Sequence, residues 1–168
     1  MIKGIVCAAK DWGIGKNNGL LFNLPADMKF FRETTKHNIV VMGYSTYLSL
    51  PKRPLSNRVN VVLWDKAPLP TETKDGAIFF NNFEALLSFI KILSKEYDVF
   101  ICGGASVYKL FLPYYDEVLV TKVDAEDKEA TAFFPNLDEN KSFIRDGFTQ
   151  CAFSGGYDIE FRKYIRRK

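Results

Sequence analysis

The chain has 168 residues, 47% hydrophobic and 15% aromatic, with a net charge of +3. This length and apolar content predict one well-cored domain spanning residues 1–168. No apolar stretch approaches the roughly 20 residues that a membrane helix needs, and we expect neither a signal peptide nor a membrane partner. The charge is too small, and its clustering with aromatic residues too weak, to favour nucleic-acid binding.

The cysteine and histidine content argues against several kinds of site. Cys7, Cys102 and Cys151 stand at no metal-ligand spacing, which predicts reduced thiols in a cytoplasmic protein. His37 is the single histidine, so a His-based metal site or a Ser-His-Asp triad is disfavoured. We therefore expect no metal.

Short apolar runs alternate with helical patterns along the chain. The runs "IKGIVCAA", "NIVVMG", "VNVVLW" and "DVFIC" predict buried strands. Helices are predicted at about 25–35, where Pro25 suits the first turn, after Gly43, over 83–97 and after "GGAS". The third carries its apolar residues on one face, and Asn81 with Glu84 predicts its cap.

The C-terminal segment has a different period. In "YDIEFRKYIRR" the apolar residues alternate with charged ones, and "FTQCAF" precedes it across "SGG", which predicts an antiparallel hairpin. Tyr157, Ile159, Phe161 and Ile165 would share one face. The elements together predict an α/β fold in which a mixed, mostly parallel sheet of about eight strands, with this hairpin, is flanked by about four helices.

Three glycine-containing segments could contact a ligand. "KDWGIGKNNGL" fails the dinucleotide fingerprint because its turn does not open a helix directly; it is either a mobile loop over a pocket or an ordinary surface loop. "VVMGYST" and "ICGGASVY" each place a helix N-terminus after a buried strand, as phosphate sites do. Capping, or tight strand–helix packing, would explain either one alone. Two such segments in one small domain favour a phosphate-bearing ligand.

Asp27 stands one helical turn before Phe31 and therefore shares its face. If Phe31 is in the core, Asp27 borders the core, and burial would raise its pKa while the helix N-terminus would lower it. An exposed acid in the first turn is the ordinary alternative.

These segments together resemble the dihydrofolate reductase family over almost the whole chain. The matching words are "GIGKNNGLLFNLPADMKFF", "VVMGYSTYLSL", "RPLSNRVNVVL", "ICGGASVYKLFLP", "VLVTKVDAE" and "FFP". The resemblance implies an oxidoreductase of one-carbon metabolism that reduces 7,8-dihydrofolate to tetrahydrofolate, with hydride from NADPH to C6 and protonation at N5. It also implies a cytoplasmic monomer that diaminopyrimidine antifolates inhibit.

The resemblance also implies which residues bind the substrate. Asp27, supported by Thr121, would bind the pterin's 2-amino group and ring nitrogen, and Arg58 would pair with the glutamate tail. The residues matched to catalysis are Asp27, Phe22, Leu20 and Thr121. Those matched to substrate binding are Ile5, Val6, Asp27, Met28, Phe31, Leu50, Leu55, Arg58, Cys102, Tyr108 and Thr121.

For the cofactor, the resemblance implies a cis bond between Gly103 and Gly104 and a lid at residues 13–22. The matched residues are Cys7, Ile14, Gly15, Gly19, Leu20, Gly43, Tyr44, Ser45, Thr46, Leu63, Trp64, Lys66, Cys102, Gly103, Gly104, Ala105, Ser106, Val107 and Tyr108.

The chain departs from the family pattern at three places. Tyr44 stands where bacterial members commonly have arginine, and Trp64 begins a turn that is often rich in serine or arginine. Fewer cationic side chains are therefore available to bind the 2′-phosphate, which weakens the expected preference for NADPH over NADH. Phe22 occupies the lid position that usually holds tryptophan.

Two alternative functions remain open at this point. One is a reductase of the same fold that acts on a pyrimidine intermediate of flavin synthesis. The other is a non-catalytic module that binds folate or a nucleotide without turnover.

Overall fold

The computed structural model describes residues 1–17, 19–147 and 149–168. The helices are α1 Pro25–Thr35, α2 Tyr44–Ser49, α3 Phe83–Leu93 and α4 Ala105–Phe111, with a 3₁₀ turn at Leu112–Tyr114. The strands are β1 Ile2–Ala8, β2 Gly13–Lys16, β3 Gly19–Leu20, β4 Ile39–Gly43, β5 Val59–Leu63, β6 Thr71–Lys74, β7 Ala77–Phe80, β8 Val99–Ile101, β9 Glu117–Val123, β10 Ala132–Phe133, β11 Phe143–Arg145, β12 Gln150–Ser154 and β13 Tyr157–Arg166. Among these helices none is long and apolar enough to cross a membrane.

The main sheet has ten strands, in the order β11-β13-β9-β1-β8-β4-β5-β7-β6, with β12 also paired to β13. The neighbours from β9 through β7 are parallel, whereas β13 and β6 run antiparallel to theirs. The predicted mixed, mostly parallel sheet, the four helices and the C-terminal hairpin are confirmed. The sheet exceeds the expected eight strands because short strands such as β6 and β11, which carry few buried residues, extend it.

The central strands are buried on both faces, as their uninterrupted apolar runs predict. Val40, Val41, Val62 and Ile101 have no exposed surface. One apolar cluster packs α3 and α4 against the sheet, and a second lies on the side of α1 and α2. The sheet therefore holds its strand ends rigidly, and those ends form the site described below.

Helix α3 is shorter than predicted and has a different cap. It ends at Leu93 rather than at residue 97, because the polar residues after Leu93 bury nothing, and Tyr97 is 48% exposed. The cap is Asn82, whose side chain accepts from the Ala85 N–H at 3.0 Å. Asn81 instead donates to the Ala67 carbonyl at 3.2 Å, so the predicted Asn81 cap is wrong by one residue.

The face assignment along β13 holds only in its first half. Ile159 is buried as predicted, but Ile165 is 37% exposed and Tyr164, on the opposite face, is 1% exposed. Tyr164 is covered because its ring meets Trp12, with centroids 5.9 Å apart, and its hydroxyl donates to Asp138 at 2.8 Å. Residues distant in sequence thus bury the face that the alternation marks as polar.

The segment 13–22, predicted as a loop, contains the two short strands β2 and β3 among its described residues. β2 pairs with β3 and with β10, forming a separate three-stranded sheet. Thr131 N–H donates to the Gly15 carbonyl at 2.9 Å, and Lys16 binds Asp127 at 2.5 Å. Asn18 lies outside the described residues.

Candidate active site

A cleft of about 1000 Å³ opens at the carboxyl ends of the parallel strands. Cys7 of β1, Gly43 of β4, Leu63 of β5 and Cys102 after β8 lie at its wall, and β2 covers one side with Ile14 and its neighbours. Ligands of open α/β sheets bind at such strand ends. The fold therefore places the cleft where a ligand is expected.

Glycines let β4 approach the segment after β8 closely. The Gly103–Gly104 peptide bond is cis, and Gly103 has φ +116°. The Gly43 N–H donates to the Gly103 carbonyl at 2.8 Å, and a Cβ on Gly43 would lie 3.1 Å from the Val107 side chain. Side chains at these positions would separate the two strand ends.

Helices α2 and α4 begin in the cleft immediately after these glycines. Their N-cap residues are Gly43 and Gly104, which have no side chain to accept from the first helical N–H groups. Such unpaired N–H groups and the helix dipole favour an anion. Ser45 and Ser106 add hydroxyls to the two helix starts, and both line the cleft.

One end of the cleft is aromatic. The rings of Tyr44 and Trp64 stack with centroids 4.1 Å apart and planes 14° apart. Asp65 and Lys66 line the same end, so a carboxylate accompanies the ammonium. This end offers a flat ring a stacking surface and offers a phosphate little net positive charge.

Asp27 does not line this cleft itself, but α1 brings it against Thr121 of β9 and against Cys7 of β1, which does line it. The Thr121 hydroxyl, on a residue 1% exposed, donates to Asp27 Oδ1 at 2.6 Å. Burial raises the pKa of Asp27, while hydrogen bonds from Thr121 and the Cys7 thiol lower it again. The pKa of Cys7 is itself raised, by burial and by the charge of Asp27. Asp27 is thus a half-buried carboxylate whose protonation a ligand can shift.

Arg58 is held beside the same apolar surface. Its Nε donates to the Ser56 carbonyl at 2.9 Å and its Nη1 to the hydroxyl of the buried Thr35 at 3.1 Å. The guanidinium lies 5.8 Å from the Phe31 ring centroid, and burial lowers the pKa of Arg58. An arginine pKa so far above neutrality leaves the side chain charged, and the fork keeps donors for a carboxylate.

Comparison with known proteins identifies the family. Residues 1–166 match the family model described as dihydrofolate reductase. The chain belongs to the dihydrofolate reductase family. It is 30% identical over 155 residues to the dihydrofolate reductase of Haemophilus influenzae, covering 92% of this chain and 91% of that one. The Bacillus subtilis enzyme is 31% identical over 155 residues, covering 92% and 88%.

Two further likenesses extend this finding. The bifunctional dihydrofolate reductase-thymidylate synthase of Glycine max is 34% identical over 149 residues, covering 80% of this chain, which spans only 28% of that protein. Among solved structures, the dihydrofolate reductase of Enterococcus faecalis, complexed with NADP(H) and RAB-propyl, superposes with a TM-score of 0.84. It is 28% identical and covers 100% of this chain and 97% of its own.

All the residues matched to the cofactor through the dihydrofolate reductase resemblance line the 1000 Å³ cleft. The matched substrate residues Ile5, Phe31, Leu50, Leu55 and Cys102 share one apolar cluster. Val6 lines the cleft, and Tyr108 donates from its hydroxyl to the Ile5 carbonyl at 2.7 Å. The structure thus gathers these two sets in adjoining regions.

Three of the matched residues do not form part of an enclosed pocket wall. Met28 is 54% exposed and Leu20 is 71% exposed, so neither is enclosed by protein. Phe22 packs edge-on against Tyr157, with centroids 4.9 Å apart. Its ring extends the apolar cluster that also contacts Cys7.

Several contributors to the site were not predicted from the sequence. Cys7 was matched to the cofactor, yet its thiol also interacts with Asp27, and each shifts the pKa of the other. Thr35 holds Arg58 from within the core. Thr131 and Ala132 line the cleft at the start of β10. No local motif marks these residues, because each reaches the site through long-range pairing.

Proposed function

We propose that this protein reduces 7,8-dihydrofolate to 5,6,7,8-tetrahydrofolate with NADPH. The observation that carries the proposal is the setting of Asp27, a half-buried carboxylate between Thr121 and Cys7 beside an apolar cleft. Family membership supports it, and the relative from Enterococcus faecalis is complexed with NADP(H).

The cleft fits a dinucleotide in the size and chemistry of its lining. Ser45 and Thr46 at the start of α2, and Ala105 and Ser106 at the start of α4, would hold the phosphates. The stacked pair of Tyr44 and Trp64 would contact the adenosine part. When bound, NADPH supplies the hydride that passes to C6 of the pterin.

Asp27 would orient the pterin and favour its protonated form. Its carboxylate would accept hydrogen bonds from the 2-amino group and the adjacent ring nitrogen, fixing the ring plane for the transfer. Ile5, Phe31 and Leu50 would exclude water and so strengthen these hydrogen bonds. The proton required at N5 is favoured by the negative charge that Asp27 carries when ionised.

Arg58 and Asp27 together favour dihydrofolate over smaller heterocycles. A pterin joined to a glutamate tail needs an acid at the ring and a cation at the tail, with an apolar surface between. Phe31 contributes to that surface and contacts the region of Arg58. The pyrimidine intermediate of flavin synthesis, or binding without turnover, has no comparable observation in its favour.

We extend the proposal to partners and location. Flat diaminopyrimidines should bind as cations paired with Asp27, and the protein should act as a monomer of 19.2 kDa in the cytoplasm. Cys7, Cys102 and Cys151 are free thiols, which suits a reducing compartment. Light scattering of the purified protein tests the monomer directly.

The test of the reaction follows the absorbance of NADPH with and without dihydrofolate. We expect oxidation that requires both compounds and falls by about 10²-fold or more in Asp27→Asn near neutral pH, since that is the scale of a positioned acid. Glu33→Gln is the matched control, because Glu33 lies on the exposed face of the same helix. Full turnover in Asp27→Asn would contradict the role of the acid, and no oxidation by the native protein would contradict the function.

A further inference from the structure

Lys122 is a buried cation that the proposed chemistry does not use. It is 7% exposed and follows Thr121 on β9. Because successive strand residues point to opposite faces, Thr121 faces Asp27 while Lys122 faces the turn after β1. One strand therefore contacts both the acid and that turn.

The Lys122 ammonium closes the turn at residues 9–13. Its Nζ donates to the Ala9 carbonyl at 2.8 Å and to the Lys10 carbonyl at 2.9 Å. It also lies 4.2 Å from the ring centroid of Trp12, which is 4% exposed. Charged donors make stronger hydrogen bonds than neutral ones, and a cation on an indole face adds further attraction.

The same turn is closed by its own backbone. Ala9 N–H donates to the Gly13 carbonyl at 2.8 Å, and Trp12 N–H donates to the Ala9 carbonyl at 2.9 Å. The Ala9 carbonyl thus accepts from both Trp12 and Lys122. Moving the ammonium would disturb the acceptor around which the turn is built.

The turn leads directly into the cofactor side of the cleft. β2 begins at Gly13, and Ile14, Gly15 and Lys16 line the cleft. Lys122 itself does not line that cleft. Its influence on a bound cofactor would therefore pass through the position of β2.

We propose that Lys122 is a positioning residue for cofactor binding, which fixes the turn at residues 9–13 and thereby the placement of β2 against NADPH. The inference rests on the proposed function. It assigns to this lysine a task distinct from substrate binding, although its neighbour Thr121 serves the substrate end.

The surroundings of Lys122 make this task sensitive to pH. Burial lowers the pKa of Lys122 to about 8, and Arg162 of β13 acts in the same direction. Asp138, Asp11 and Glu160 oppose that effect. Asp11 belongs to the turn, Glu160 to β13 and Asp138 to the segment before β11.

Lys122 also borders a cavity that is separate from the cofactor cleft. A second cavity of about 390 Å³ is lined by Lys122 together with Arg162, Glu160 and Cys151. Above pH 8 the neutral amine would hold the two carbonyls and the Trp12 ring less strongly. NADPH affinity should then fall with rising pH, while dihydrofolate affinity should not follow this step.

The decisive variant is Lys122→Met, which removes the charge and keeps a long apolar side chain. Lys10→Met is the control, because the Lys10 side chain is 67% exposed and its ammonium pairs with Asp124 at 3.4 Å. At pH 7 we expect the NADPH dissociation constant, measured by tryptophan fluorescence, to rise about tenfold in Lys122→Met, the scale of one charged hydrogen bond. Dihydrofolate affinity should be the same in Lys122→Met as in the native protein. In Lys10→Met the affinities for both ligands should be unchanged.

Two further readouts separate positioning from general stability. Amide hydrogen exchange in the protein without cofactor should accelerate over residues 9–16 in Lys122→Met, but not in β8. The native protein should lose NADPH affinity between pH 7 and 9, whereas Lys122→Met should show no such step.

The outcomes distinguish this inference from the proposed function. Equal NADPH affinity and equal exchange in the native and Lys122→Met proteins would overturn the inference. If Lys122→Met does not fold, a native NADPH affinity that stays constant from pH 7 to 9 would overturn it instead. Failure of the native protein to bind NADPH at pH 7 would reject the proposed function itself.

Discussion

Asp27 combines two opposing effects within a few ångströms. Burial favours its neutral form, whereas the Thr121 hydroxyl and the Cys7 thiol favour the ionised form. Burial prevails, and the pKa of Asp27 is raised from its ordinary value. Such a balance leaves the carboxylate able to respond to a cationic ring, which an ordinary surface acid would not do.

This raised pKa predicts that Asp27 reduces the stability of the folded protein near neutral pH. The folded state binds the Asp27 proton more tightly than the unfolded chain does, so stability is fully present below the ordinary aspartate pKa and is lost as pH rises through the raised value. Asp27→Asn, which cannot ionise, should therefore gain in free energy of unfolding relative to the native protein as pH rises from 4 to 8.

Urea unfolding of both proteins at several pH values measures this difference. Glu33→Gln, from the exposed face of α1, should show no comparable trend. A native protein that becomes the more stable of the pair as pH rises would show that the hydrogen bonds from Thr121 and Cys7 outweigh burial.

At the scale of single residues, the sequence predicts which side chains belong to the site better than it predicts which residues they contact. Helical spacing places Asp27 beside the core, and the family likeness pairs it with Thr121. The Cys7 thiol and the support of Arg58 by Thr35 escape prediction, because both contacts depend on how α1 lies across the sheet. A strand cysteine and a helix threonine are otherwise ordinary core residues.

Among the secondary-structure elements, α3 shows how closely a helix start is specified. Asn82 has extended backbone angles, φ −139° and ψ 127°, and its side chain accepts from Ala85 N–H. Asn81, one residue earlier, instead donates from its side chain to the Ala67 carbonyl. The sequence pattern indicated Asn81, whereas the backbone geometry selects Asn82.

Asn82→Ala should therefore lower the free energy of unfolding by about 1 kcal/mol, the usual value of an N-cap. Ser88→Ala is the control on the same helix, because the Ser88 hydroxyl only donates back to the Glu84 carbonyl at 3.0 Å, a contact of little net benefit in a helix interior. Chemical denaturation at neutral pH compares the two. Equal stability of Asn82→Ala and the native chain would contradict the capping role.

Elements made from local signals were predicted well, and those made by long-range pairing were not. Pro25 and the apolar strands indicate α1 and the sheet centre directly. The small sheet of β2, β3 and β10 depends on a pairing between segments over 100 residues apart, and the burial of Tyr164 depends on Trp12. Neither leaves a periodic pattern in its own segment.

For the whole molecule, strand order explains how the site is assembled. β9 lies next to β1, so Thr121 stands beside Cys7 in register, and both can contact Asp27 from α1. β4, β5 and β8 bring their ends together on the other side of β1. β1 lies between these two groups of strands. The contacts of Asp27 on one side of β1 are therefore next to the cleft at the ends of β4, β5 and β8 on its other side.

This arrangement predicts how strongly the cofactor stabilises the fold. NADPH at 100 times its dissociation constant should raise the free energy of unfolding by about 2.7 kcal/mol, if it binds the folded state alone. The 2′-phosphate would meet Lys66 beside Asp65 at the Tyr44–Trp64 end. NADH should therefore stabilise the protein nearly as well at equal concentration, since an exposed ionic contact contributes only about 0.2–1 kcal/mol.

Calorimetric melting with each cofactor measures the difference, which should shrink further in Lys66→Met. Lys74→Met is the matched control, because Lys74 is an exposed lysine of β6 at the sheet edge. A preference for NADPH that is large in the native protein and unchanged in Lys66→Met would contradict the assignment of Lys66. The helix start at Ser45 and Thr46, which also lines the cleft, would be the next candidate to vary.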